Sequence, residues 1–517
     1  MNEVNENWID KTIRFLSPQS GLRRLHARMV HEQLAEEKKS YDGASDGRRT
    51  KGWNATGSSQ NAESRMSIKR LRQRARDLVR NEPYAARCIS ALQTNIIGEG
   101  IIAKAKAKTA GRANKFQLEW QDWSQSTKCD YDGTNNFYGI QSLGMRTTAE
   151  AGEVLIRRVR RDSKFGLDIP LQLQMLEPDY IDDSKDGGVL ENGNFTIQGI
   201  EYNSKGQRVA YWLYEKHPGD QFGFTALQGI NSVRVPAEDI IHHFRVDRPG
   251  QVRGITWMAP VMLKMKDLSD YSDFTLLRQK VSSCFTAFVT TPELTDLGPT
   301  NKKKSHVIGD RLEPGITEQL PPGYSVEFAN PPTSGDFSQF SNAQLRSISA
   351  GIGVTYEILT NDYSQVNFSS GRMGWQEFQR NIDQWRAHLV QPRLCDVVWQ
   401  WFVEAAATAG FGQDKVVAIW TAPRREMIDP TKEVAATKEQ LRNGLISLPE
   451  AIRLSGYEPE EVLNEIAAVN KVLDKHGLIL DSDPRKDADR ITKTEDTSGK
   501  KPTVNEPETE TDDEDDE

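Results

Sequence analysis

Residues 65–98, RMSIKRLRQRARDLVRNEPYAARCISALQTNIIG, carry two helical periods in succession. At 100° per residue, Ile68, Leu71, Ala75, Leu78 and Val79 fall on one apolar stripe, which predicts an amphipathic helix over 65–80. Arg65, Lys69, Arg72, Arg76 and Arg80 fall on an adjacent stripe, with Arg70 and Arg74 on the far side. Pro83 suits the first turn of a second helix, in which Ala85, Cys88, Ile89, Leu92 and Ile96 are spaced for burial. Gly98 ends it. The basic stripe has two readings. It faces phosphates or a partner, or it is a solvated face whose charges pair between subunits. No aromatic residue is interleaved with the arginines, which disfavours stacking on single strands.

Outward from this pair, the pattern changes. Residues 35–64 read as an arm rich in Gly, Ser, Thr and Asn, with Trp53 as its one large anchor. Residues 150–245 carry strand signals in GEVLIRRV, IPLQLQML and RVAYWLYE, with a hairpin turn at Asn203–Gly206 and a short strand at Ile240–Phe244. Helical spacing returns over 256–285, with Pro260 in its first turn. A proline-rich, irregular block containing Lys302, Lys303 and Lys304 precedes a short helix over 336–350. The polar loop NDYSQVNFSSG, 361–371, leads into a long helix over 372–408 that Pro392 should kink. Two or three helices follow over 430–477, with Ser447-Leu-Pro-Glu450 as a capping box and Gly444, Gly456 and Gly477 at helix ends. A β-rich block following a helical one predicts an α+β chain.

The chain has 517 residues, 37% apolar and 27% charged, with a net charge of -8. The charge is unevenly placed. Residues 501–517 hold nine acids and one lysine, so residues 1–500 balance at 65 basic and 65 acidic. Residues 48–80 hold ten Lys/Arg against two acids. A chain that is basic early and acidic at its end does not exclude a nucleic-acid partner. After about 482 large apolar residues nearly vanish, which predicts a disordered acidic tail. No apolar run reaches the roughly 18 residues of a spanning helix. The first residues lack the apolar stretch of a secretory signal. The four cysteines, Cys88, Cys129, Cys284 and Cys395, form no CxxC pair, which argues against a disulfide framework or a zinc site.

Catalytic motifs are lacking. There is no GxxxxGK[ST], and Gly98-Glu-Gly100 follows a helix rather than a strand. Glu177-Pro178-Asp179…Asp183-Ser184-Lys185 imitates the PD…DxK pattern of metal-dependent nucleases. Its carboxylates would have to converge on one Mg²⁺ at about 2.1 Å. Three residues between the aspartates are too few for two strands and a turn, so a solvated strand-end loop is the better reading. His242-His243 point to opposite faces if on a strand and cannot share a metal from one side. Ser369-Ser370-Gly371 is not a nucleophile elbow. No cofactor and no metal are expected.

Several long stretches, in order, resemble one family. YDGASDGRRTKGW (41–53), RARDLVRNEPYAARCI (74–89) and NIIGEGI (95–101) look like the N-terminal signature of the lambda-type portal proteins of tailed bacteriophages. AGEVLIRR and LQLQMLEPDYID look like that family's wing strands, and HHFRVDRPGQVRGITWMAPVMLKMKDLSDYSD like the start of its stem. LRSISAGIGVTYEILTNDYSQVNFSSGR looks like its tunnel segment. The likeness covers roughly 41–425 and leaves out the first 40 residues and the acidic tail.

The resemblance implies a structural assembly protein rather than an enzyme, a ring of about twelve subunits at one capsid vertex. Through it double-stranded DNA enters and leaves, without sequence-specific recognition. Implied partners are the terminase large subunit, a head-completion or adaptor protein, major capsid and scaffold proteins, and no membrane. The implied place is the virion, after assembly in the host cytoplasm. It implies an arm over 1–64, a wing over 65–255, a stem helix over 256–285 and a clip over 286–335 that docks terminase, with Lys302–Lys304 in it. A second stem helix follows over 336–350, a tunnel segment over 351–371, a wing return over 372–429, a helical crown over 430–480 and the tail over 481–517. Asn361, Asp362, Tyr363, Ser364, Gln365, Asn367 and Ser369 would then face the channel. A loop without Lys or Arg can touch a sliding duplex without trapping it, because each phosphate neutralised by a cation tightens binding. Two other readings stay open: a metal-dependent DNA-processing enzyme using Asp179 and Asp183, and a head adaptor or minor capsid protein other than the portal.

Overall fold

A computed structural model describes residues 48–220, 231–283, 287–290, 325–328, 337–412, 415–424 and 429–478, with isolated positions within 13–30 and at 427 and 480. The chain divides into two compact units, 1–63 and 64–517. In the first, Thr56 and Ser58 donate hydrogen bonds to the Glu63 carboxylate. Trp53, read as the anchor of the arm, is exposed.

The second unit opens with helices α1 (Ile68–Asn81) and α2 (Pro83–Ile96). Ile68, Ala75 and Val79 are buried on α1, and Ala85, Cys88, Ile89, Leu92 and Ile96 on α2, as their spacing predicts. Strand β1 (Ile102–Lys106) and helices α3 (Ala110–Gln125) and α4 (Phe137–Ala151) follow. Gly152 ends α4 in the left-handed region at φ 95°. It lies so close to the 254–256 backbone that an added Cβ at Gly254 would sit 2.2 Å from the Gly152 carbonyl oxygen. These two glycines let β2 (Glu153–Arg160) start directly beneath the 245–256 loop.

Two sheets make up the β-rich block. Strand β2 sits between β3 (Leu171–Leu176) and β8 (Ile240–Phe244), antiparallel to both. Strands β4 (Phe195–Ile197), β5 (Ile200–Tyr202), β6 (Arg208–Tyr214) and β7 (Ser232–Pro236) form an antiparallel meander. The turn at Asn203–Gly206 joins β5 to β6: Asn203 Oδ1 accepts from the Gln207 and Lys205 N–H groups.

Helix α5 (Met262–Ser283) starts later than the periodicity suggests, because residues 257–261 form turns around Pro260. Its first half buries Met262, Met265 and Leu268, whereas Phe274, Leu276 and Leu277 in its second half are exposed. Helix α6 (Phe337–Ile352) runs beside it, with Tyr271 stacked 5.5 Å from Phe337 and edge-on to Phe340 at 4.9 Å. The block between them is not wholly irregular. Residues 287–290 form β9 (Ala287–Thr290) and pair antiparallel with β10 (Ser325–Phe328). Lys302, Lys303 and Lys304 lie outside the described residues.

Helix α7 (Tyr356–Thr360) and the following loop lead into α8 (Phe368–Trp385). Helix α8 does not break at Pro392. It continues as a π-helical segment, Arg386–Cys395, and then as α9 (Asp396–Thr408). The wider π turn accommodates the missing N–H and the ring of proline within a continuous helix. Strand β11 (Val417–Thr421) then pairs with β1, more than 300 residues earlier. Trp120, Phe137, Trp399, Phe402 and Trp420 meet around α3 and α9, with Trp120 and Trp399 centroids 4.8 Å apart. Three helices close the described chain: α10 (Pro430–Arg442), α11 (Leu448–Leu454) and α12 (Pro459–His476). Gly444, Gly456 and Gly477 all have positive φ at their ends, and Ser447 Oγ accepts from the Glu450 N–H.

Candidate functional site

Two constellations stand out: a polar loop held at both ends, and a buried ion-pair network under α1.

The loop begins where α7 ends. Thr355 caps α7 by accepting from the Ile358 N–H, and Asn361 closes it in the left-handed region at φ 55°. Arg87 on α2 reaches this corner. Its Nε donates to the Ile358 carbonyl and its Nη2 to Asn361 Oδ1, both at 2.9 Å. The guanidinium thus satisfies a carbonyl that the helix end leaves unpaired and fixes the left-handed residue beside it. At the far end Asn367 and Ser370 form a reciprocal capping box that starts α8. Between these clamps Asp362 accepts from the Ser364 N–H at 3.0 Å, and hydrogen bonds from Ser364 hold its carboxyl below the usual range. Tyr363, Ser364 and Gln365 are exposed.

The seven residues read as one polar loop therefore divide. Asn361 is turned to Arg87, Asn367 caps a helix, and Ser369 lies in the first turn of α8. All seven stay exposed, and Asp362, Tyr363, Ser364 and Gln365 are the ones between the two clamps. Sequence reasoning did not find Arg87. It lies beside the buried stripe of α2, where a charged residue reads as solvated, and its acceptor is 271 positions away.

The basic stripe on α1 is ion-paired within the chain along most of its length. Arg72 is 2% exposed and donates from Nη2 to Glu153 at 2.8 Å. Its Nη1 lies 3.3 Å from Asp179. Arg76 pairs with Glu177 and Asp179, Lys69 with Asp183, and Arg65 with Asp186. Arg72 is thus buried within the chain, whereas Arg65 and Lys69, though paired, keep 54% and 60% of their side chains exposed. The stripe is the counter-charge of the acidic 177–186 segment. Arg80, at the end of the stripe, is exposed.

Glu153 is fully buried at the first position of β2. It accepts from Arg72, from Arg253 Nη2 at 2.6 Å, from His242 Nε2 at 2.9 Å and from the Gly254 N–H at 2.7 Å. Burial pushes its carboxyl up, but Arg253, His242 and Arg72 together outweigh this and hold it well below the usual range. His243 points the other way, its Nδ1 2.8 Å from Thr148 Oγ1. The histidines thus occupy opposite faces of β8, as strand alternation predicts.

These contacts also bear on the carboxylates that imitate a nuclease. Asp179 is held by Arg72 and Arg76, and Asp183 by Lys69, so the two are tied to different cations rather than to one centre. The solvated-loop reading is also corrected for Asp179, which is partly buried. Among the described residues one trio has ligand-type atoms close together, Glu177, Asp179 and His217, and Arg76 holds both of its acids. Cys88, Cys129 and Cys395 are free and buried. Among the described residues no helix is long and apolar enough to cross a membrane.

Comparison with known proteins adds the following. The family described as "Phage portal protein, lambda family" matches residues 46–386. The "Probable portal protein" of Halomonas phage phiHAP-1 is 29% identical over 421 residues, covering 77% of this chain and 79% of that protein. "Portal protein B" of Escherichia phage lambda is 23% identical, covering 81% and 87%. Among solved structures, a chain in the virion of a native gene transfer agent particle covers 77% of this chain and 94% of its own length, at 13% identity and a TM-score of 0.45.

Proposed function

This chain belongs to the lambda family of phage portal proteins, and from that premise we propose that it forms the ring at one capsid vertex through which double-stranded DNA is packaged and ejected. The observation that carries the reading is the match over residues 46–386, which takes in the ion-paired α1, both sheets, α5 to α8 and the clamped loop. Its role is structural: the protein shapes and holds a passage, and the motor is the terminase that docks on it. Head-completion or adaptor protein, scaffold and major capsid protein are its other partners. It resides in the virion after assembly in the host cytoplasm.

In this reading α5 and α6 are the stem, and β9 with β10 belong to the clip that meets terminase. The helices α10 to α12 form the crown. Asp362, Tyr363, Ser364 and Gln365 face the channel, carried by a corner that Arg87 fixes to the wing. The geometry supports this in two ways. The loop is short and braced at both ends, so it holds a set position. It also presents no Lys or Arg, so a duplex slides past without the counterion release that would bind it.

Heads assembled in a host that lacks this chain are expected to contain no DNA, and supplying the full chain is expected to restore filled heads. DNA-filled heads in its absence would sink the proposal.

A further inference from the structure

Helix α1 and the turn before it bind carboxylates along one flank, where Arg65, Lys69, Arg72 and Arg76 take Asp186, Asp183, Glu153 and the Glu177–Asp179 pair. The outward flank carries the same kind of side chain. Arg70 and Arg74 are exposed there and make no ion pair among the described residues. Four positions apart, they are neighbours on the helix surface. Arg80 is exposed too, and Lys69 is more than half exposed despite its partner. Asp77 is the one acid within 65–80, and it accepts from Asn81. The outward face of α1 is therefore a strip of guanidinium groups and one ammonium, open to further carboxylates.

One segment of the chain has the matching chemistry. Residues 501–517, which lie outside the described residues, hold nine acids, one lysine and one large apolar residue, Val504. Residues 512–517 are all acidic. A block of like charge with no apolar face to bury binds through its charge. Other stretches outside the described residues do not complement a cationic strip: residues 1–47 hold eight acids against seven Lys/Arg, and 481–500 six against five. The 25 residues 481–505 separate Leu480 from the first acid of the tail, Glu506, and a tether of that length extends over up to roughly 90 Å. It holds the tail at an effective concentration on the order of a millimolar at a site within its reach.

We propose that the acidic residues 506–517 dock on the outward face of α1 around Arg70 and Arg74 and screen it from nucleic acid. The inference goes beyond the ring reading and holds whether or not subunits assemble. Tail and duplex present the same chemistry, closely spaced anions, so each excludes the other from the strip.

The test measures binding of a short fluorescent DNA duplex by the purified full chain at low salt. A chain ending at residue 500 is expected to bind the duplex about fivefold more tightly than the full chain, since each exposed ion pair shifts an equilibrium by up to about fivefold. In chains carrying Arg70→Glu and Arg74→Glu the same truncation is expected to change binding by less than about twofold. Both positions are exposed, so reversal leaves the buried pairs of α1 in place, which circular dichroism checks. High salt is expected to abolish the effect of truncation as the pairs are screened. With p-benzoylphenylalanine at position 510, the full chain is expected to crosslink to residues 65–80. Truncation that leaves duplex binding unchanged would overturn the proposal. Truncation that tightens binding equally with and without Arg70 and Arg74 would also overturn it, as general repulsion between tail and DNA. Crosslinks confined to other parts of the chain would do the same.

Discussion

Glu153→Leu is expected to destabilise the fold by about 3–5 kcal/mol, enough to leave little folded protein at 37 °C. The carboxylate is fully buried and takes hydrogen bonds from two guanidinium groups, one imidazole and one backbone N–H. Its removal leaves Arg253 without its carboxylate partner and Arg72 with Asp179 alone. Glu153→Gln is expected to be damaging as well, because an amide cannot balance two cations. Urea denaturation followed by circular dichroism measures both, and a cost below about 1 kcal/mol for either would show that the network does not hold α1 to the sheet.

The same region sets an acid limit. Burial lowers His242 from its ordinary value near 6.5 to about 4 and His243 to about 3. Below about pH 6.5 the unfolded chain therefore binds protons that the folded chain refuses. The stability concerned is complete above pH 6.5 and is lost as pH falls through about 4 and 3. Glu153, held below its ordinary range, adds a loss in the same direction at lower pH. Unfolding free energy is expected to fall below pH 6.5 by up to about 1.4 kcal/mol per pH unit for each histidine. A melting temperature that stays level between pH 7 and pH 5 would contradict this.

The second large effect is on function. Asp362→Lys is expected to slow packaging by about tenfold to a hundredfold, because a few new lysine–phosphate contacts at up to about 1 kcal/mol each act on the duplex at once. The ring repeats the substitution in every subunit, and the braced loop cannot withdraw the new cation. The slowing should be relieved by raised salt, as counterion release weakens. Asp362→Asn is expected to package at close to the normal rate, since it adds no cation. Arg87→Ala, which frees the Asn361 corner, is expected to blunt the Asp362→Lys effect in the double variant. Packaging by Asp362→Lys at the normal rate and without salt dependence would remove this loop from the channel.

How much of this was legible in the sequence differs by element. The apolar stripes of α1 and α2, the hairpin turn at Asn203–Gly206 and the glycine stops of α10 to α12 follow from local periodicity and turn chemistry, and they stand in the structure. The α+β class follows from the same signals. Partners across the chain do not. The basic run of α1 and the acidic run at 177–186 are both plain in the sequence, yet about 100 residues separate them. Read one at a time, each looks like a wet surface. A charge shows its sign and its place on a helix, but not the group that will neutralise it. Strand β1 pairs with β11 from the far end of the chain, and Ile102–Lys106 carries no turn signal beside it to announce a partner. In β9 and β10, four-residue strands set within proline-rich sequence are too short for periodicity to reveal. The candidate site was legible as a composition, a polar loop without Lys or Arg. Its division into clamped and free residues depends on Arg87, which only folding brings to Asn361.

Electron cryomicroscopy of the purified full chain tests the central claim most directly. The account predicts closed rings of one repeated subunit around an open channel wide enough for a DNA duplex. Asp362 to Gln365 should line its wall. A uniform population of compact monomers, or a closed assembly with no passage along its axis, would contradict it.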